Sequence, residues 1–329
     1  MAQQVRSAVA WVYRNAARFG GDPARLYITG HSSGAHLAGC ALVTDWPNEF
    51  GLSANILKGG LVASGMYDLK PVRLSKRSRY VKFTDEIEQA LSSQRHLDQL
   101  NAPINIFIHG GAWRNGQARD SAYLAETFIN AGAHFVIPDF VLVQNAGGSL
   151  MPMAQQVRSA VAWVYRNAAH FGGDPARVYI TGHSSGAHLA GCALVTDWPK
   201  EFGLPANILK AGLVASGMYD LKPVRLSKRS QYVKFTDEIE QTLSSQRHLD
   251  QLNAPIIVAY GTQETPEFQR QNREFAAAVK TAGKPVELIV GEGFNHFELQ
   301  ETIGNPYGIL GRAALKMMNL SMSPGREQT

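Results

Sequence analysis

The chain has 329 residues, 45% hydrophobic and 18% charged, enough for a sizeable core in one large domain or two smaller ones. Its formal charge of +5 is diffuse, and the basic stretch KPVRLSKRS (222–230) is followed by the acidic DEIE (237–240), so no nucleic-acid partner is expected. The opening residues are polar and helix-like, without an apolar run able to span a bilayer. That pattern predicts a cytoplasmic chain with no membrane partner.

Residues 1–104 match residues 153–256 at a constant offset of 152, with seven differences: Arg18/His170, Leu26/Val178, Asn48/Lys200, Ser53/Pro205, Gly59/Ala211, Arg79/Gln231 and Ala90/Thr242. A unit of this size is too long for a solenoid repeat. The match ends abruptly at NAPI, after which copy one runs into NIFIHGGAW and copy two into IVAYGTQETPEF. The expected organisation is a partial duplicate over 1–103, a catalytic domain over 104–320 and a flexible tail over 321–329. The two cysteines, Cys40 and Cys192, occupy one position in the two copies, so no disulfide framework is indicated.

From residue 104 strand-like and helix-like segments alternate. INIFIHGG (104–111) is an apolar strand running into a glycine loop, 119–132 has helical spacing, and 134–143 is β-rich. Residues 153–173 place Val157, Ala160, Val161, Val164, Tyr165 and Ala168 on one helical face. RVYITGHS predicts a strand and turn, SGAHLAGCALVTDW a helix, and ILKAGLVASGMYDL a strand, before a polar helical excursion over 221–252. A strand at PIIVAYG, a helix from Pro266, a strand at PVELIVGEG and a last helix near 304–319 complete the series. This alternation predicts an α/β fold, a mostly parallel doubly wound sheet preceded by the partial duplicate.

The pentapeptide Gly182-His183-Ser184-Ser185-Gly186 lies between a predicted strand and a predicted helix. In that context G-x-S-x-G makes Ser184 the candidate nucleophile on a sharp turn, facing a helix N-terminus that favours negative charge. The N–H groups of Gly110, Gly111 and Ala112 in IHGGAW, with that of Ser185, are the candidate oxyanion donors. The general base is expected to be His296, in a loop after the last strand; His183, His188 and His248 are its rivals. For the orienting acid, Glu264 at the end of the preceding strand is favoured over Glu267 and Asp220. No C-x-x-C, H-E-x-x-H or phosphate-cradling glycine loop is present, so neither a metal nor another cofactor is expected.

Together these motifs resemble the kynurenine formamidase (arylformamidase) group of α/β-hydrolases, over roughly 104–320. The resemblance rests on H-G-G-x-W at His109–Trp113, G-H-S-x-G-A-H-L at Gly182–Leu189 and S-G-x-Y-D-L at Ser216–Leu221. It also rests on a strand-end acid followed by P-E-F and R-Q, and on H-F-E at His296–Glu298. It implies a Ser184–His296–Glu264 triad that hydrolyses a small aryl formamide such as N-formylkynurenine, or a small carboxylic ester. His109, Trp113, Tyr219 and the 221–252 excursion would wall the pocket. Two departures stand out: the acid is Glu where the family usually has Asp, and copy one stands where the family's opening strands are expected. The rival readings are a non-catalytic binding protein on the same fold and a recombined chain with impaired activity.

Copy one carries the same elbow at Ser32, but no H-G-G strand precedes it, and its acid and histidine strands are lost at the NAPI junction. Ser184 is therefore the expected working serine and Ser32 an elbow without partners. The apolar strands of copy one are expected to seek a sheet edge and to favour association, as a homo-oligomer or a strand-swapped dimer.

Overall fold

The computed structural model describes residues 1–79 and 81–320; the tail expected at 321–329 lies outside the described residues. Two compact units are found. One comprises Met1–Ala102 with Ala169–Asp174, and the other comprises Pro103–Ala168 and the chain from Pro175 onward.

In the first unit the helix Ala2–Asn15 precedes β1 (Leu26–His31), the helix Ser33–Leu42 and β2 (Leu57–Ala63), and the two strands pair in parallel. Ala10, Ala41, Trp46 and Ile56 form its buried core, with Val5, Val9, Tyr13 and Ile28 packed against them.

The second unit is built on a six-stranded sheet. Its strands are β3 (Ala102–Ile108), β4 (His134–Val136), β5 (Gly173–His183), β6 (Gly212–Ala215), β7 (Ile256–Gly261) and β8 (Val286–Gly291). Their order is β4-β3-β5-β6-β7-β8, and the pairs β3–β4, β5–β6, β6–β7 and β7–β8 are parallel. This is the doubly wound α/β architecture expected from the alternation of segments. The chain steps from β3 outward to β4, then returns to the other side of β3 for β5. That reversal is a topological switch point, where doubly wound sheets leave a crevice beyond the carboxyl ends of their strands.

Several boundaries differ from the sequence expectation. The β-rich stretch 134–143 is a strand only over His134–Val136, because Pro138 has no N–H to give a ladder. The segment read as one helix over 119–132 opens with a 3-10 turn, Ala118–Leu124, before the α-helix Ala125–Asn130. The strand expected within 208–221 is confined to Gly212–Ala215, since Ser216 takes a left-handed φ of 55° and turns the chain away.

The repeated sequence folds locally in the same way in both units. Ile28 opposes Gly60 and His31 opposes Ala63 across β1–β2, and the counterparts Ile180/Gly212 and His183/Ala215 pair identically across β5–β6. Burial differs sharply: Leu61 is 68% exposed, whereas its counterpart Leu213 is 0% exposed. Leu213 belongs to a core with Phe107, Leu124, Phe128, Leu299, Ile303, Leu310 and Leu315. All of those residues come from segments outside the repeat.

Candidate active site

Ser184 sits between the end of β5 and the helix Ser185–Leu194, with φ 58° and ψ −126°. A serine held in that sparsely populated region costs of order 1–3 kcal/mol and persists only where its surroundings over-determine it. Here its N–H donates to the Ala215 carbonyl at 2.9 Å, tying the elbow to the end of β6. The helix beyond it leaves its first N–H groups, Ser185 included, directed toward the elbow.

The carboxyl end of β3 meets this turn. A Cβ built on Gly186 would stand 2.0 Å from the Ile108 carbonyl oxygen, and one built on Gly110 would stand 3.3 Å from Ser184 Cβ. The H-G-G backbone is thus packed against the serine as closely as glycine permits. Gly111, Ala112 and Trp113 follow with φ of 118°, 55° and 65°, so the loop coils tightly beside the elbow. The Trp113 N–H donates to Ser185 Oγ at 3.2 Å, which fixes that loop to the start of the helix.

His296 Nε2 lies 2.9 Å from Ser184 Oγ, and its Nδ1 lies 3.1 Å from Glu264 Oε2. A carboxylate is an acceptor only, so Nδ1 carries the proton and Nε2 is left to accept from the serine hydroxyl. His296 is the first residue of a short helix, His296–Glu301, rather than part of the preceding loop. Asn295 caps that helix, accepting from the N–H groups of Phe297 and Glu298, while the Glu298 carboxylate accepts from the Asn295 N–H. The imidazole is further bracketed by the rings of His183 and Phe268, at centroid distances of 4.6 and 4.5 Å.

Glu264 follows β7, and its carboxylate is sealed from solvent. Its Oε1 accepts from the Gly261 N–H at 2.9 Å and from Ser216 Oγ at 2.5 Å, leaving Oε2 for the histidine. Ser216 was not singled out by sequence reasoning as a support for the acid. It lies 48 residues from Glu264, and although it opens the S-G-x-Y-D-L segment, nothing local ties it to the acid. The rival acids are engaged elsewhere: Asp220 accepts from Arg247 at 3.0 Å and caps a helix through the Lys222 N–H, and Glu267 pairs with Arg270. Among the rival bases, His188 is bonded to the Leu243 carbonyl and to the Trp113 indole, and His248 to the Gln241 carbonyl. His183 is fully enclosed, and burial, reinforced by the neighbouring His296, pushes its pKa down to about 3.

The cleft over Ser184 has a volume of about 180 Å³ and is lined by His109, Gly110, Gly111, Gln117, Asp120, His183, His296, Phe297 and Gln300, among others. The expectation that Trp113 and Tyr219 wall this pocket is corrected. Trp113 is 1% exposed and turns its indole N–H inward to His188 Nδ1. Tyr219 is wholly buried, stacked on Phe275 at 4.0 Å, with its hydroxyl donating to Asn272. Neither side chain reaches the cleft; both pack behind it. His109 does line it, stacked on Phe140 at 4.3 Å. Among the described residues no cluster of His, Cys, Asp or Glu could hold a metal ion.

Ser32 in the first unit takes the same turn, with φ 55° and ψ −122°. A Cβ on Gly34, the counterpart of Gly186, would meet nothing within 4 Å. Among the described residues no histidine is hydrogen-bonded to the Ser32 hydroxyl. The elbow is formed there without such a bond.

A doubly wound sheet, a strained serine elbow and a histidine at hydrogen-bond distance from that serine define a serine hydrolase of the α/β-hydrolase fold. Residues 1–56 and 94–212 match the BD-FAE family, and residues 154–280 match the carboxylesterase family. The kynurenine formamidase of Danio rerio is 31% identical over 226 residues, covering 67% of this chain and 74% of that protein. The kynurenine formamidase of Salmo salar is 30% identical over 228 residues, covering 68% and 75%. A thermophilic esterase from Thermogutta terrifontis superposes with a TM-score of 0.52 at 20% identity, covering 67% of this chain and 80% of that one, a likeness that speaks for the fold. The chain belongs to the arylformamidase-like family of α/β-hydrolase esterases. Among the described residues no helix is long and apolar enough to cross a membrane.

Proposed function

We propose that the protein hydrolyses a small aryl formamide of the N-formylkynurenine type, or a small carboxylic ester, through Ser184, His296 and Glu264. The observation that carries this reading is the unbroken relay from Ser184 Oγ to His296 Nε2 at 2.9 Å and from Nδ1 to Glu264 Oε2 at 3.1 Å. Ser184 attacks the carbonyl carbon while His296 takes its proton, and Glu264 holds the tautomer and stabilises the imidazolium. The developing oxyanion is received by N–H groups from Gly110, Gly111, Ala112 and Ser185. His296 then protonates the departing amine or alcohol, leaving an acyl-enzyme. Water, deprotonated by the same histidine, cleaves that ester and frees Ser184.

The small cleft and the close approach of Gly110 to Ser184 favour a short acyl group, of which formyl is the smallest. The activity carried by the names of the two fish relatives supports the formamide choice. Residues 104–320 act in this reading as the catalytic domain and residues 1–103 as a partial duplicate without turnover. A fluorophosphonate probe followed by peptide mapping tests the assignment. Label on Ser184 is expected; an unlabelled chain, or label on Ser32 alone, refutes it. Comparing turnover of N-formylkynurenine with that of p-nitrophenyl acetate then separates formamidase from esterase.

A further inference from the structure

The two copies present the same socket, filled in one and open in the other. In the second unit Trp113 occupies it. The backbone N–H of Trp113 donates to Ser185 Oγ at 3.2 Å, and its indole N–H donates to His188 Nδ1 at 3.2 Å. Arg229 lies over the ring at 5.3 Å. The counterparts of those three residues, at the offset of 152, are Ser33, His36 and Arg77. All three line a cavity of about 570 Å³ in the first unit, whose remaining wall is mostly apolar, Leu37, Leu69 and Val72 among it, with Ser32 and Lys82 as its other polar members. Copy one has no tryptophan to place there, because the sequence contains a single H-G-G-x-W.

The histidine of the open socket is set as it is in the filled one. His36 Nε2 lies 2.9 Å from the Leu91 carbonyl, as His188 Nε2 lies 2.9 Å from the Leu243 carbonyl. A carbonyl only accepts, so in both rings Nε2 carries the proton and Nδ1 presents a lone pair. In the second unit that lone pair meets an indole N–H. In the first unit His36 lines the open cavity.

We propose that this cavity is a binding site for a small neutral indole or related aryl N–H compound, seated against His36, Ser33 and Arg77 as Trp113 is seated against their counterparts. Cavities with mostly apolar walls take up aromatic molecules readily. The N–H···Nδ1 bond selects among them, and the Arg77 guanidinium can cover the ring face. A second copy of the chain is a poorer occupant: each chain carries two sockets and one Trp113, so lending that residue to a neighbour uncovers the lender's own socket.

The test uses the full chain with 5-fluoroindole and its N-methyl derivative, followed by fluorine NMR of the ligand, alongside hydrolysis of p-nitrophenyl acetate. Saturable binding of 5-fluoroindole is expected, about threefold to tenfold tighter than that of the N-methyl compound, the contribution of one hydrogen bond. His36→Leu should abolish that preference. Val72→Trp, which fills the cavity from its wall, should abolish binding altogether and serves if His36→Leu does not fold. Neither variant nor ligand should alter ester hydrolysis at Ser184. The proposal is overturned if the native chain does not bind 5-fluoroindole, or if Val72→Trp binds it as the native chain does. It is equally overturned if sedimentation shows a dimer whose formation blocks the ligand, the result that a second copy in the socket would produce.

Discussion

Gly186 and Ile108 approach so closely that a Cβ on the glycine would stand 2.0 Å from the isoleucine carbonyl oxygen, while the counterpart Gly34 has open space in the same direction. One residue in two copies of one sequence therefore carries opposite steric consequences. Gly186→Ala must push the end of β3 away from the elbow helix, at a cost of about 3 kcal/mol or more, with loss of activity. Gly34→Ala adds a better helix former to an uncrowded turn and should leave stability unchanged or raise it by up to about 1 kcal/mol. Thermal melts of the two variants, read with p-nitrophenyl acetate turnover, check the contrast.

Replacing the two elbow serines separates them functionally. Ser184→Ala is expected to lower kcat by about 10⁴-fold to 10⁶-fold, the range seen when a triad nucleophile is removed. Ser32→Ala should leave kcat and KM unchanged, since no histidine among the described residues is bonded to it. Steady-state kinetics on p-nitrophenyl acetate decides, and a large loss in Ser32→Ala would reverse the assignment.

Between the two candidate acids, Glu264→Gln should lower kcat by about 10³-fold to 10⁴-fold, because an amide facing Nδ1 disfavours the tautomer that the serine needs. Asp220→Asn removes the charge that pairs with Arg247 while keeping an oxygen for the Lys222 N–H, so its effect should fall on stability, by no more than about 1 kcal/mol, with kcat within a factor of a few. Ser216→Ala takes one donor from the Glu264 carboxylate and is expected to act through the position of that group, lowering kcat with little change in KM.

Tyr219→Phe removes a hydroxyl that touches Asn272 and not the cleft. It should cost about 1 kcal/mol in urea unfolding and leave kcat/KM for both substrates as it was. A selective rise in KM would return Tyr219 to the pocket wall.

The buried histidines set a pH dependence. His183 and His188 are held neutral by burial, with pKa values pushed down to about 3 and about 4, against an ordinary value near 6.5. Below pH 6.5 the unfolded chain takes up protons that the folded chain refuses, so their contribution to stability is intact above 6.5 and is lost as pH falls. Each such histidine contributes a slope of about 1.4 kcal/mol per pH unit in that window. Urea melts at pH 7, 6 and 5 should show the decline, and His188→Gln should reduce it.

Much of the candidate site is legible in the sequence itself. G-x-S-x-G between a strand and a helix, the glycines after β3, and a carboxylate and a histidine each just past a strand pointed to Ser184, Glu264 and His296. These are signals of residue type at strand ends, which sequence displays directly. Trp113 and Tyr219 were misplaced because aromatic residues near a motif can face either the cleft or the core. That choice depends on partners such as His188, Phe275 and Asn272, far away in the chain. Ser216 was missed for the same reason, its bond to Glu264 spanning 48 residues.

The duplication divides the two kinds of information within one molecule. Where the sequence is the same, the strained turn is the same, φ 58° at Ser184 and 55° at Ser32, and the strand register is the same. Those features follow from short-range sterics and hydrogen bonds that the local residues carry wherever they stand. Burial and chemical environment are not the same. Leu213 is enclosed and Leu61 is not; Ser184 meets a histidine, and for Ser32 no such bond is found among the described residues. The difference comes from the H-G-G loop, the Glu264 turn and the His296 helix, which lie outside the repeat and pack around Ser184. A serine motif sets the shape of the turn, and the segments packed around it determine whether that turn has a base beside it.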